Sequence, residues 1–119
     1  MKAFSSQLEQ VKLISPSIYE DGRGCFLESY HEKRYGELFA LPRFVQDNLS
    51  VSTYGVVRGM HFQSDPGQAK LVFVIKGSIC DVVVDIRKDS PTYKQWQMFH
   101  LEDKKKEQLY IPKIGRAHV

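Results

Sequence analysis

At 119 residues the chain is long enough for one domain with a real core and too short for two. Hydrophobic residues make up 42% and charged residues 26%, the balance of an ordinary globular domain, which argues against disorder and against a membrane protein. The formal charge of +3 is modest and scattered, so no nucleic-acid partner is expected.

Taken in chain order, the N-terminus MKAFSSQLEQ lacks the apolar stretch of a signal peptide, and no run approaches the roughly 18 apolar residues of a membrane helix. A cytoplasmic location without membrane contact is therefore expected. IYEDGRGCFLESY sets the tetrad Asp21-Gly22-Arg23-Gly24 between strand-like flanks and predicts a hairpin or loop feeding a strand over residues 25–30. HEKRYGELFA has the mixed spacing of a short surface helix, ending near Leu41-Pro42. Strands are then predicted over residues 43–46, 49–53, 57–63, 69–76, 78–87 and 96–101. Their punctuation is Tyr54-Gly55, Asp65-Pro66-Gly67, Lys76-Gly77-Ser78 and Ser90-Pro91-Thr92.

LVFVIKG and SICDVVVDIR, joined across Gly77, make the clearest hairpin by pattern. Within the second run Asp81, Val83 and Asp85 share one face and Cys80, Val82, Val84 and Ile86 the other, as in a half-buried strand. The basic run at residues 104–106 sits among Glu102, Asp103 and Glu107 and reads as a solvated loop. Cys25 and Cys80, far apart and inside strand-like runs, suit free buried thiols in a reducing compartment. Short strands with almost no helical period between them predict an all-β antiparallel sandwich or barrel of the jelly-roll type.

VVRGMHFQ, residues 56–63, holds the first candidate chemistry. A lone strand His is usually a hydrogen-bonded core residue, but Arg58 nearby is costly to bury without an anion. On a straight strand Arg58 and His61 face opposite ways, and Gly59 permits a bulge that turns both into one cavity. Lys70 shares its parity with Val72 and Val74, so it points inward if those valines do. Base, ammonium and guanidinium around one pocket suit an anionic, carbonyl-bearing substrate. The bland reading of Lys70 is an edge-strand charge that discourages aggregation. Gln63 stands two residues after His61, where a metal-binding barrel would carry a second His, and no Glu follows until Glu102; no metal site is expected. Arg23 and Glu28 around Phe26, and Gln46-Asp47-Asn48, are groups able to bind a base and phosphates, although each is equally good turn chemistry.

In order, DGRGCFLESY, FVQDNLSVS, VVRGMHFQ, QAKLVFVIKGSICDVVVDIRKDSPTY and LYIP resemble the dTDP-4-dehydrorhamnose 3,5-epimerase family across nearly the whole chain. The resemblance implies a cupin-like jelly roll without metal or cofactor, homodimeric, serving nucleotide-sugar synthesis for surface polysaccharides. It implies that His61 is the base removing protons at C5 and C3, beside the C4 ketone of dTDP-4-dehydro-6-deoxyglucose, and that Lys70 stabilises the enolate oxygen. It places Arg58 on the diphosphate and Arg23, Phe26, Glu28, Gln46 and Asn48 at nucleotide-binding positions, some reaching across a dimer interface. The family's proton-donor tyrosine and the aspartate that orients the base come later than this chain extends. Two relatives of the same fold, a C3-only epimerase and a keto-isomerase, remain open, as does a non-catalytic sugar-nucleotide-binding module, against which His61 and Lys70 together count.

At the C-terminus the family pattern after Ile-Pro is one variable residue and then Gly-Phe-Ala-His-Gly, whereas this chain reads LYIPKIGRAHV. His118 is one place out of register, and a one-residue slip turns a strand side chain to the other face, so the family role is not carried onto it. Residues 114–119 match the translation of a common sequencing-library adapter. The expectation is therefore a partial epimerase domain over residues 1–113 followed by an artefactual tail over 114–119.

Overall fold

The computed structural model describes residues 1–63 and 67–113; the expectations for residues 114–119 and for the Asp65-Pro66 turn lie outside the described residues. The chain begins with two short strands, β1 (Lys2–Ser5) and β2 (Lys12–Ser15), paired antiparallel with Lys2 opposite Ser15. Strands β3 (Ile18–Asp21) and β4 (Gly24–Leu27) form a hairpin closed by Gly22 and Arg23, with Asp21 opposite Gly24. The DGRG tetrad is thus the turn its composition predicts, and Gly24 takes φ 137°, a conformation open to glycine.

Helix α1 (Glu32–Phe39) follows, capped by His31, whose Nδ1 accepts from the Arg34 N–H at 3.2 Å. It stops at Ala40, which is left-handed and returns its N–H to the Gly36 carbonyl; Leu41 and Pro42 follow. Tyr35 and Phe39, four residues apart, form its buried stripe.

The remaining strands are β5 (Lys70–Phe73), β6 (Ser78–Val84), β7 (Trp96–Glu102) and β8 (Gln108–Ile111). The larger sheet runs β1-β2-β8-β5, and β6 pairs with β7 in a separate two-stranded ribbon. Leu109, Ile111, Val74 and Val83 meet Phe99, Leu101, Leu8 and Val11 in the core between sheet and ribbon. The opposite face of the sheet carries Ile14 and Tyr110 against Tyr35, Phe39 and Leu41. The 103–105 turn leaves Lys104 and Lys105 exposed, as expected of a solvated loop.

Four expectations are corrected. LVFVIKG and SICDVVVDIR do not form a hairpin: β5 pairs with β8 and β6 with β7. Gly77, at φ 92°, donates its N–H to Asp103 Oδ2 at 2.8 Å and accepts from the Asp103 N–H at 2.9 Å. The turn is therefore anchored to the end of β7, and the chain crosses between layers there. Second, residues 43–46, 49–53 and 57–63 carry no strand. A strand exists only with a partner for its backbone groups, and among the described residues no chain pairs with this stretch. Third, Cys25 and Cys80 are exposed rather than buried: the β3–β4 ribbon is open to solvent at Cys25 as at Phe26, and Cys80 lies on the face of β6 turned away from Val83 and the core. Fourth, the strand predicted over residues 25–30 ends at Leu27, because Glu28 and Ser29 turn to α1. Strands β1, β2 and β8 were not anticipated from pattern.

Candidate functional site

The hairpin β3–β4 presents Arg23 at its tip and Phe26 on its exposed side. Arg23 has a 91% exposed side chain and is held by its neighbour Asp21, with Nη2 to Oδ2 at 2.6 Å and Nε to Oδ2 at 3.2 Å. The Arg23 hydrogen bonds hold the Asp21 carboxyl below its ordinary value. Phe26 is 72% exposed, a flat apolar surface in water. Glu28, just past β4, takes two hydrogen bonds from the Arg34 guanidinium of α1, the Nε contact at 2.9 Å and a shorter one through Nη2. That pairing lowers the Glu28 carboxyl from its ordinary value.

Gln46 and Asn48 are exposed and bonded to each other, Gln46 Nε2 donating to Asn48 Oδ1 at 3.0 Å. Arg58 is exposed, its Nε donating to Ser52 Oγ at 2.9 Å. His61 is exposed and makes no hydrogen bond or ion pair with any described residue. Gly59 takes φ 129°, a turn only glycine makes easily, but it lies in no strand, so there is no bulge of the expected kind. Among the described residues, no hydrogen bond or ion pair joins Arg58, His61 and Lys70 to one another.

Lys70 is placed differently. It opens β5 directly opposite Ile111 of β8, and Val72 lies opposite Leu109 on the same face. Ile111, Leu109 and Val74 belong to the core between the layers, and Val72 packs against it. The parity expectation therefore holds: Lys70 is half-buried on the interior face, where an ammonium acts through a lower dielectric than at the surface.

Sequence reasoning missed a carboxylate on the facing layer. Asp81 of β6 is fully buried, opposite Phe99 of β7, and lies on the face of Val83, which fills the core. The alternation of SICDVVVDIR put Asp81 and Val83 together; what it lacked was which face turns inward. Arg34, the partner of Glu28, was also missed, since six residues of sequence separate them and the helix has to fold back to join them.

Of the expected positions, the structure sets Arg23, Phe26 and Glu28 along the β3–β4 hairpin and its exit and ties Gln46 to Asn48; among the described residues, no hydrogen bond or ion pair links these two groups to Arg58, His61 or Lys70. A family model, that of dTDP-4-dehydrorhamnose 3,5-epimerase, matches residues 5–119. The dTDP-4-dehydrorhamnose 3,5-epimerase of Methanothermobacter thermautotrophicus is 45% identical over 113 residues, covering 95% of this chain and 60% of its own. The dTDP-4-dehydrorhamnose 3-epimerase of Streptomyces niveus is 46% identical over 106 residues, 87% of this chain and 51% of its own. The crystal structure of dTDP-6-deoxy-D-glucose-3,5-epimerase from Legionella pneumophila, in complex with dTDP-4-keto-L-rhamnose, superposes with a TM-score of 0.91 at 49% identity, covering 98% of this chain and 62% of that one. This chain therefore spans 51–62% of the length of these three relatives. The structural likeness establishes the all-β, cupin-like β-sandwich. Matched over residues 5–119 and folded like solved members, the chain belongs to the dTDP-4-dehydrorhamnose 3,5-epimerase family.

Proposed function

We propose that the chain carries the base and much of the nucleotide site of an enzyme that epimerises dTDP-4-dehydro-6-deoxyglucose at C3 and C5 to dTDP-4-dehydrorhamnose. The hydrogens at C3 and C5 flank the C4 ketone, so loss of either proton leaves a carbanion delocalised onto the ketone oxygen. His61 takes the proton, and Lys70 meets the developing oxyanion from the interior face, where its charge acts most strongly. Arg58 binds the diphosphate, and Arg23, Phe26, Glu28, Gln46 and Asn48 bind the nucleoside side. The opposite-face proton donor and the carboxylate that orients His61 are assigned to a tyrosine and an aspartate beyond this chain, residues 1–113 being read as part of a larger jelly roll. The working form we propose is a cytoplasmic homodimer. The observation that carries the reading is the family match over residues 5–119, which takes in both VVRGMHFQ and the Lys70 strand.

The test is solvent exchange in the complete enzyme: in deuterium oxide, His61→Asn should abolish deuterium incorporation at C5 while leaving dTDP affinity within about twofold. Loss of dTDP binding instead would make His61 structural. The 119-residue chain alone should show no measurable turnover, because residues 42–63 have no strand partner among the described residues to fix His61 against Lys70; robust turnover would overturn that. A second reading, a C3-only epimerase, stands beside it because the Streptomyces niveus 3-epimerase is as similar to this chain, at 46% identity, as the Methanothermobacter 3,5-epimerase at 45%. Deuterium entering at C3 alone would select it.

A further inference from the structure

All four residues of β8 are buried, and one of them, Gln108, is a primary amide. A buried amide is costly unless its groups are hydrogen-bonded. Gln108 finds its partners outside its own sheet: Nε2 donates to the Ser29 carbonyl at 2.6 Å, and Oε1 accepts from the Tyr35 hydroxyl at 2.7 Å. The Tyr35 hydroxyl also lies 3.0 Å from the Ser29 carbonyl, so the three groups close a triangle. The phenol has one proton, and the shorter contact gives it to Gln108, leaving the amide to hold Ser29. Burial pushes the Tyr35 phenol up, so it stays a neutral donor around pH 7.

The triangle grips the joint between β4 and α1. Glu28 immediately precedes Ser29 and is itself tied to Arg34 on the helix. Tyr30 follows, with its ring 5.3 Å from that of Tyr35 and its hydroxyl accepting from the Phe44 N–H at 3.2 Å. Among the described residues, the β3–β4 hairpin forms its own two-stranded sheet, unpaired with the larger one. A free two-stranded ribbon is marginal in water, so its placement depends on where its ends are fastened. Gln108 and Tyr35 fasten the end that carries Phe26 and Glu28.

We infer that Gln108, acting with Tyr35 through the Ser29 carbonyl, is a positioning residue for nucleotide binding, setting where Arg23, Phe26 and Glu28 meet a nucleoside diphosphate. The inference rests on the nucleotide reading of those three residues given above. Because Gln108 acts through the backbone of the joint, its loss changes binding in the molecules that remain folded, which loss of stability alone does not do.

The experiment is equilibrium dialysis of labelled dTDP against the complete enzyme that contains this chain, at low micromolar concentration, with urea midpoints measured in parallel. Gln108→Leu should raise the dTDP Kd about tenfold and Tyr35→Phe about threefold, the order expected when buried hydrogen-bond partners are removed. Leu109→Ala, its buried neighbour on the opposite face, should lower the midpoint and leave Kd unchanged. If both variants bind as the parent does, or if Leu109→Ala weakens dTDP equally, the positioning role is overturned while the nucleotide reading stands. If Gln108→Leu does not fold, Tyr35→Phe decides: an unchanged Kd overturns the inference. Failure of the complete parent enzyme to bind dTDP overturns the nucleotide reading and this inference with it.

Discussion

Replacing Asp85 by Asn tests how one buried carboxylate holds two distant loops together. Asp85 lies just past β6 with no solvent exposure. Its carboxylate accepts from Arg87 Nε at 3.1 Å, Arg87 Nη2 at 3.0 Å, the Arg87 backbone N–H at 3.0 Å and Thr92 Oγ1 at 2.6 Å, and also from Ser90 Oγ. Arg87 continues to Gln10 Oε1 at 2.9 Å and the Glu9 carbonyl at 2.8 Å, while Thr92 Oγ1 accepts from the Glu9 N–H at 3.1 Å. One charge thus ties residues 87–92 to the β1–β2 connection. Asn keeps the shape, removes the charge and turns an NH2 toward groups that are themselves donors. Removing one partner of a buried pair costs about 3–5 kcal/mol. The Arg87 side chain is 24% exposed, so water offsets part of its loss, and about 3 kcal/mol is expected. With a urea slope of about 2 kcal/mol/M, the midpoint should fall by about 1.5 M. The pH dependence has a definite sign. Burial pushes the Asp85 carboxyl up, but the bonds from Arg87, Ser90 and Thr92 outweigh it and hold the group well below the carboxylate range. Its stabilisation is therefore complete above the unfolded pKa of about 4 and is lost as pH falls from there. Urea titrations of parent and variant at pH 7, 4 and 3 should show the difference narrowing with acid. A midpoint change under about 0.3 M at pH 7, or a difference that persists unchanged at pH 3, would refute the argument.

Two further expectations follow from exposure. Cys25 and Cys80 should both react with Ellman's reagent in the native chain without denaturant, because each is exposed; thiols that titrate only in urea would contradict the structure. Between residues 45 and 62 an apolar series lies open, with Val51 84% and Val57 70% exposed. Such a stretch drives self-association, so the double substitution Val51→Lys, Val57→Lys should reduce light scattering at a given concentration, and equal scattering would show that another surface is responsible.

What the sequence determined by itself was local. The Asp-Gly-Arg-Gly turn, the helix whose Tyr35 and Phe39 recur four residues apart, and the two-faced pattern of SICDVVVDIR depend on neighbours a few residues away, and each is where the pattern put it. The ordered motifs also carried the family, since they survive as strings of residues whatever the partners do. Tertiary structure decided what pattern leaves free. Alternation shows that Val83 and Cys80 differ in environment, but only packing against Leu101, Leu109 and Ile111 makes the Val83 face the inner one, burying Asp81 and exposing Cys80. A glycine between two β-type runs fits a hairpin, yet Asp103 takes the Gly77 backbone groups, and β5 finds β8 instead. Residues 42–63 have the composition of strands without a partner among the described residues, and a strand is made by the groups that pair with it. That is why Lys70, fixed by β8, has a definite interior place here, and His61 does not.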